Sequence, residues 1–112
     1  MSNFQSLYPV KLAAIAVTGS DVVIYTTPLQ TRTLVKDINI TNTTSTAITV
    51  NLHIVPGANA AGTNNALFFG QSVAPNSTYR WTGVQIMNPE EKLVVKGSTT
   101  GLTIFASGAE AV

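Results

Sequence analysis

The sequence contains no cysteine. Disulfide frameworks, thiolate zinc sites and cysteine nucleophiles are therefore excluded together. The single histidine, His53, cannot by itself anchor a typical zinc site, and the alternating acids of a calcium loop are missing. Gly57 and Gly62 lack the lysine and the strand-to-helix context of a phosphate-binding loop. We therefore predict a protein with no metal site and no cofactor.

Charged residues are scarce: they make up 10% of the chain, against about 25% in an average soluble domain. The six basic residues are scattered singly, and the formal net charge is +1. A nucleic-acid-binding protein normally presents a clustered cationic face, so we expect no nucleic-acid partner. Threonine, serine and asparagine supply the polarity instead. Such a surface repels neighbours weakly and favours close contact with other subunits; the alternative is a stable monomer with a neutral surface.

Long apolar segments are absent as well. The longest unbroken apolar run, Leu12 to Val17, is far below the roughly 20 residues that a helix needs to span a bilayer. The first residues, Met1 to Gln5, lack the basic start and the long apolar stretch of a secretion signal. We therefore expect no membrane partner and a chain that is made and folded in the cytoplasm.

Valine, isoleucine and threonine are abundant, and these β-branched residues suit the half-buried surface of a sheet. Turn-forming residues recur between short apolar segments, as they do in a sandwich or barrel. We predict a single all-β domain, an antiparallel β-sandwich of jelly-roll or immunoglobulin-like type with about eight strands. This domain is predicted to span residues 11–112, and residues 1–10 are predicted to form an N-terminal arm.

The clearest predicted strand is Ala47 to Val55, in which apolar and polar residues alternate without a break. In the segment before it, Leu34, Ile38 and Ile40 share one face. Lys36 falls on that same apolar face, which predicts a position near a sheet edge, where its ammonium group can reach water.

Two hairpins are predicted from the turn residues. The polar segment 42–46 favours a tight reversal between the strands on either side of it. Another turn, at Gly19 to Asp21, separates strands predicted at 12–17 and 22–26, and 56–65 is predicted to be a surface loop. The remaining predicted strands are 66–69, 77–81, 84–87, 93–96 and 102–106.

Few residues could form a catalytic site. The alternation places His53 on the polar face of its strand, beside Asn51, which predicts a solvated or interface histidine rather than a catalytic base. No serine lies in a Gly-x-Ser-x-Gly elbow, and the spacing of the carboxylates does not pair two of them as a glycosidase requires. We predict that the protein is not an enzyme and has no catalytic residues.

Aromatic residues are better candidates for function. Phe68 and Phe69 are adjacent, so in a strand only one of them can enter a single core. Tyr79 and Trp81 share the face opposite Arg80, and we predict that both are core residues. The alternative is that Arg80, together with one phenylalanine, contacts another subunit, since arginine and aromatic residues are enriched at interfaces.

Further aromatic residues lie near the two ends of the chain. Phe105 is predicted on the outer face of the last strand, where it covers a small cluster or meets a partner. Phe4 and Tyr8 are apolar anchors in the N-terminal arm. This arm is either a frayed terminus or lies across a neighbouring subunit. The candidate interface residues are therefore Phe4, Tyr8, Phe69, Arg80 and Phe105.

A resemblance to known proteins is carried by these stretches, in order: Tyr25-Thr26-Thr27-Pro28, Leu34 to Thr43, Ile48 to Pro56, Asn65-Ala66-Leu67, Ser77 to Trp81, and Gly101 to Gly108. Together they resemble small β-sandwich virion proteins of tailed bacteriophages, which occur as capsid decoration proteins or in tail structures. Similar proteins often carry a Gly-Asp turn before the penultimate strand, and here Asn88 to Glu91 occupies that place. This segment also favours a turn.

The resemblance implies a structural role in a virion and carries no catalytic motif. Three roles compete. The first is that of a capsid decoration, or cement, protein, which binds and stabilises the outer shell as a homo-oligomer, with a trimer favoured. Its partners would be its own copies and the major capsid protein or another virion protein. The second role is a tail or fibre-attachment component. A third role, from another class and not implied by the resemblance, is a carbohydrate- or receptor-binding module in which exposed aromatic residues such as Trp81 stack on sugar rings. The expected location is the virion, after synthesis in the host cytoplasm.

Overall fold

The computed structural model of the protein describes residues 6–57 and 59–112. In this part of the chain no helix is long and apolar enough to cross a membrane. A short 3₁₀ turn spans Thr63–Asn65. The strands are β1 (Leu7–Val17), β2 (Val22–Thr26), β3 (Arg32–Asn42), β4 (Ile48–Val55), β5 (Ala66–Val73), β6 (Ser77–Met87), β7 (Lys92–Gly97) and β8 (Leu102–Ala111).

The eight strands form two antiparallel sheets that pack on a common core. Sheet A has the order β1-β8-β3-β6, and sheet B has the order β2-β7-β4-β5. The first and last strands are therefore neighbours, and the chain passes repeatedly from one sheet to the other. This is the strand order of a jelly roll. The predicted all-β sandwich is confirmed, and of its two predicted types the jelly roll is the one observed.

Both predicted hairpins are wrong. Strands β1 and β2 lie in different sheets, and so do β3 and β4. Alternating residues identify a strand, but a short polar turn can lead the chain across to the opposite sheet as well as back along the same one. The buried Asn42 stabilises the turn in which the chain passes from β3 to β4. Its Nδ2 donates to the carbonyl oxygens of Thr46 (2.8 Å) and Val73 (3.0 Å), and its Oδ1 accepts from the Thr44 N–H at 2.9 Å.

Two predicted strand boundaries also need correction. Residues 7–10, predicted as part of an arm, belong to β1, where Leu7 pairs with Ala111 and Val10 with Gly108. Pro9 obscures this strand in the sequence, but β1 is an edge strand, and proline is tolerated there. The segments predicted at 77–81 and 84–87 are one continuous strand, β6, whose pairing with β3 shifts as it passes Gly83.

Lys36 does not lie at a sheet edge, because β3 is between β8 and β6. The pairing of β3 with β8 shifts between Val35 and Asp37, so Lys36 is an extra residue that bulges towards solvent. As a result Val35 and Ile38 both reach the core, although their spacing breaks the period of two. The pairing of β1 with the same part of β8 shifts at Leu12.

The core lies between the inner faces of the two sheets. Burial of one such aliphatic side chain contributes about 1.5–3 kcal/mol to stability. Its fully buried members include Val35, Ile38 and Ile40 from β3, Leu52 from β4, Leu93 from β7 and Ile104 from β8.

The aromatic residues divide between the core and the surface as predicted. Tyr79 and Trp81 pack against the core from β6. Phe68 meets Tyr79 edge to face, with ring centroids 5.5 Å apart, while its neighbour Phe69 is exposed. Trp81 is therefore not the exposed platform that the sugar-stacking alternative required.

Candidate interaction surfaces

A row of apolar side chains crosses the outer face of sheet A. The strand pairing aligns Pro9 with Ala109, Ala109 with Leu34, and Leu34 with Ile86, so the row reaches across all four strands. Its outward direction follows from the full burial of Val35, the next residue after Leu34 in β3. The side chain of Ile86 is 55% exposed. The outer face of sheet A is therefore apolar along this row, whereas a sheet with one solvated face normally carries polar residues outside.

An open groove of 560 Å³ lies beside this row, along β1 and β8. It forms where both neighbours of β8 are bulged. Gly108 allows this close packing, because a Cβ atom there would overlap the carbonyl oxygen of Leu34. The residues that line the groove include Pro9, Lys11, Asn39, Phe105, Ser107 and Gly108.

Phe105 lies near the middle of the outer face and is 48% exposed, in agreement with the predicted alternation. The residues beside it across the sheet are Ala14 on β1 and Asn39 on β3, followed by Arg80 on β6. The adjacent outer row contains Ser107 opposite Asp37. Phe105 is thus surrounded mainly by polar side chains.

Arg80 and Asp37 form a two-point ion pair on this face. Arg80 donates from Nε to Asp37 Oδ1 at 3.1 Å and from Nη2 to Oδ2 at 3.0 Å. Asn39 Nδ2 donates to the same Oδ1 at 3.4 Å. The hydrogen bonds from Arg80 lower the pKa of Asp37 below its usual value, and those to Asp37 raise the pKa of Arg80. The pair holds both side chains in place and brings their summed charge to zero.

His53, predicted to be a solvated or interface histidine, lies on the outer face of sheet B and is buried within the chain itself (3% exposed). The segment that follows β4 folds back over it, and Asn65 at the end of the 3₁₀ turn lies within hydrogen-bonding distance. Phe69 meets the imidazole edge to face, with ring centroids 6.2 Å apart, and is itself 62% exposed. The sequence could not reveal this burial, because the covering residues come from a loop without a pattern.

Tyr25 of β2 reaches across the sandwich to sheet A. Its hydroxyl donates to the Glu110 carboxylate and lies 2.7 Å from Thr33 Oγ1. Because the one phenolic proton goes to Glu110, the Thr33 hydroxyl is the donor to Tyr25. Burial, and then the hydrogen bond to Glu110, raise the pKa of Tyr25 well above its usual value.

The structure brings only part of the predicted interface set together. Phe105 and Arg80 share the outer face of sheet A, Phe69 lies on the outer face of sheet B, and Tyr8 pairs with Glu110 at the end of β1. Phe4 lies outside the described residues. Their role in an interface stays a prediction.

Two features of sheet A were missed by the sequence analysis: the apolar row and the polar groups around Phe105. The signal for the row was present in Ile86-Met87, two large apolar residues in succession on opposite faces of one strand. The grouping of Asn39, Arg80 and Ser107 had no such signal, because it depends on which strands pair. Within residues 6–57 and 59–112, no three histidine, cysteine or acidic side chains are placed to hold a metal ion.

Comparison with known proteins identifies a similar fold in a solved structure. No protein-family model matches the chain, and no curated protein matches it. A solved structure that is similar is a chain in the structure of infectious bursal disease virus, Gx strain, with a TM-score of 0.57 and 8% sequence identity. The match covers 96% of this chain but 32% of the viral chain, so this chain spans about a third of the length of its neighbour. At such low identity the likeness extends to the fold alone.

Proposed function

We propose that this protein is a non-enzymatic virion structural protein, and that it acts as a capsid decoration protein that binds the outer shell as an oligomer. The observation that carries this proposal is the apolar row on the outer face of sheet A. The row is exposed in the monomer at its two ends, Pro9 and Ile86, whereas Ala109 between them is buried and Leu34 is partly exposed. Exposed apolar surface of this kind supports an interaction site. The low charge of the chain supports close packing against neighbours.

The fold comparison agrees with a virion context, because the similar chain comes from a virus. Jelly rolls also serve as lectin domains and cupins, so the fold by itself supports several functions. The bacteriophage origin and the decoration role therefore rest on the sequence resemblance together with the apolar row.

The proposal is tested by two measurements on the full chain. Light scattering gives the solution mass, and we expect about three times the 11.8 kDa of one chain. Co-sedimentation with undecorated shells, and separately with purified tails, then measures binding. Saturable binding to shells supports the decoration role. Binding to tails alone would indicate that the protein is a tail component instead. A monomer that binds neither particle would contradict a virion structural role.

A further inference from the structure

Strand β6 forms one edge of sheet A and pairs on one side only, with β3, in the described part of the chain. Along its other side the backbone N–H and C=O groups of alternate residues face away from the sheet. Such a row of groups is a template for an extended segment of another chain. Residues 77–82 pair with β3 without a register shift, which comes only at Gly83. This part of the edge is therefore regular.

The other three edge strands are interrupted more often. Pro9, which has no N–H to donate, and the register shift at Leu12 interrupt β1. Strand β2 has five residues and a register shift at Ile24, and the pairing of β5 with β4 shifts twice. Short strands, proline and bulges are features that protect sheet edges from association. The segment 77–82 is therefore the longest uninterrupted edge within the described residues.

The outward side chains of this segment carry both donors and acceptors. Arg80 is its one charged residue, and Asp37 balances that charge. Two of the five N–H donors of Arg80 bond to Asp37, which leaves three. Two residues earlier on the same face, the hydroxyl oxygens of Thr78 and Thr41 lie 3.0 Å apart, and both retain lone pairs that can accept a further bond. The edge therefore offers donors at Arg80 and acceptors at Thr78.

A second copy of the chain fits this edge, because a two-fold axis pairs a strand antiparallel with itself. Paired residues share a face of the sheet, so the axis passes through a residue. If it passes through Arg80, residues 78–82 pair, and the two Arg80 side chains oppose each other as like charges. If it passes through Tyr79, residues 77–81 pair, and Arg80 of each copy lies opposite Thr78 of the other. Donors then meet acceptors on both sides of the axis.

We propose that the edge of β6 is a self-association surface, through which two copies pair about a two-fold axis at Tyr79. Residues 77–81 make a small contact, below the roughly 1,200 Å² that stable complexes bury, so we expect a Kd of about 1 mM. At micromolar concentrations the pairing is therefore largely absent, and it is separate from the apolar row and the trimer. On a shell that holds many copies close together, it would link neighbouring oligomers. That last consequence rests on the proposed function, whereas the contact itself does not.

The test is two-dimensional NMR of the ¹⁵N-labelled protein at concentrations from about 0.05 to about 2 mM, which bracket the expected Kd. We expect the amide signals of residues 77–82 to shift as the concentration rises. Shifts at Leu34 and Ala109 would report association through the apolar row instead, so the two contacts are measured separately.

Two charge variants at one exposed position test the register. Thr78→Glu should tighten the pairing by roughly fivefold, because each new carboxylate faces Arg80 of the other copy. Thr78→Lys should weaken the pairing by a similar factor, because it faces the same arginine with a like charge. A general effect on folding cannot give opposite signs at one position. The matched control is Thr49→Glu, at an exposed residue of β4, which should leave the Kd unchanged.

Several outcomes would overturn the proposal. They are the absence of shifts in residues 77–82 up to about 2 mM, shifts confined to other surfaces, or effects of the same sign in Thr78→Glu and Thr78→Lys. Shifts of residues 77–82 that require added shells, and that do not depend on the protein concentration, would mean that the edge binds the shell protein instead of a second copy. Shell binding is measured separately, so either result leaves the decoration role to its own test.

Discussion

His53 Nδ1 lies 2.9 Å from Asn65 Oδ1, which ties the centre of β4 to the 3₁₀ turn that precedes β5. The same Oδ1 accepts the Gly62 N–H at 3.0 Å, and Asn65 Nδ2 donates to the carbonyl of Ala60 at 3.1 Å. Oδ1 therefore accepts both bonds, and His53 must carry its proton on Nδ1 to donate. Asn65 thus stabilises the 3₁₀ turn and links this turn to β4.

Replacing His53 by alanine should destabilise the protein. The change empties a buried space and removes the donor to Asn65, so we expect a loss of about 2 kcal/mol or more in the free energy of unfolding. Urea denaturation measures this loss. The control is Asn64→Ala, an exposed residue of the same turn, which should change stability by less than about 0.5 kcal/mol. Equal losses in both variants would contradict the buried role of the imidazole.

Tyr25 should make stability depend on pH in the alkaline range. Its pKa is raised on folding, so its contribution is complete below the unfolded pKa of about 10 and is lost as pH rises from there towards the folded pKa. Tyr25→Phe should cost about 1–3 kcal/mol at neutral pH, because Glu110 and Thr33 lose a partner, and should flatten the alkaline decline.

Unfolding of the wild type and of Tyr25→Phe at about pH 8 and about pH 11 checks this prediction. Tyr8→Phe changes the exposed tyrosine of β1 and should keep the decline of the wild type. If the decline is as steep in Tyr25→Phe as in the wild type, another group is responsible.

Gly108→Ala should be among the most damaging single substitutions. The new methyl group would overlap the Leu34 carbonyl oxygen, and neither backbone can move without disturbing the β3–β8 pairing. We expect a loss of about 3 kcal/mol or more in thermal or urea unfolding. Gly19→Ala is the control, since its Cβ would have no neighbour closer than 4.0 Å. A near-neutral Gly108→Ala would show that the strands are less tightly packed than described.

Ile86→Lys should weaken assembly without unfolding the monomer. A charge at the β6 end of the apolar row opposes burial against a partner, so shell binding should fall by roughly tenfold or more. Val23→Lys places the same charge on the outer face of sheet B, at a side chain that is also exposed, and should leave binding intact. Co-sedimentation of both variants with shells makes the comparison. If Val23→Lys weakens shell binding more than Ile86→Lys does, the contact surface lies on sheet B instead.

Local patterns in the sequence were sufficient for the class of fold. Period-two alternation identified β4 and the outward direction of Phe105, and the spacing of turns indicated a sandwich. These features depend on neighbours along the chain, since a strand alternates wherever one of its faces is buried. The same patterns failed at Lys36, because a bulge changes the period without any marker in the local sequence.

The sequence by itself determined an all-β domain without cysteine chemistry and with little charge, and it separated Tyr79 and Trp81 from Arg80. Only the tertiary structure decided that β3 and β4 belong to different sheets, that His53 is buried, and that Asn39 lies between Phe105 and Arg80. The physical reason is that strand pairing joins residues far apart in the chain. Asn39 and Arg80 meet across β3 and β6, which no local alternation can specify.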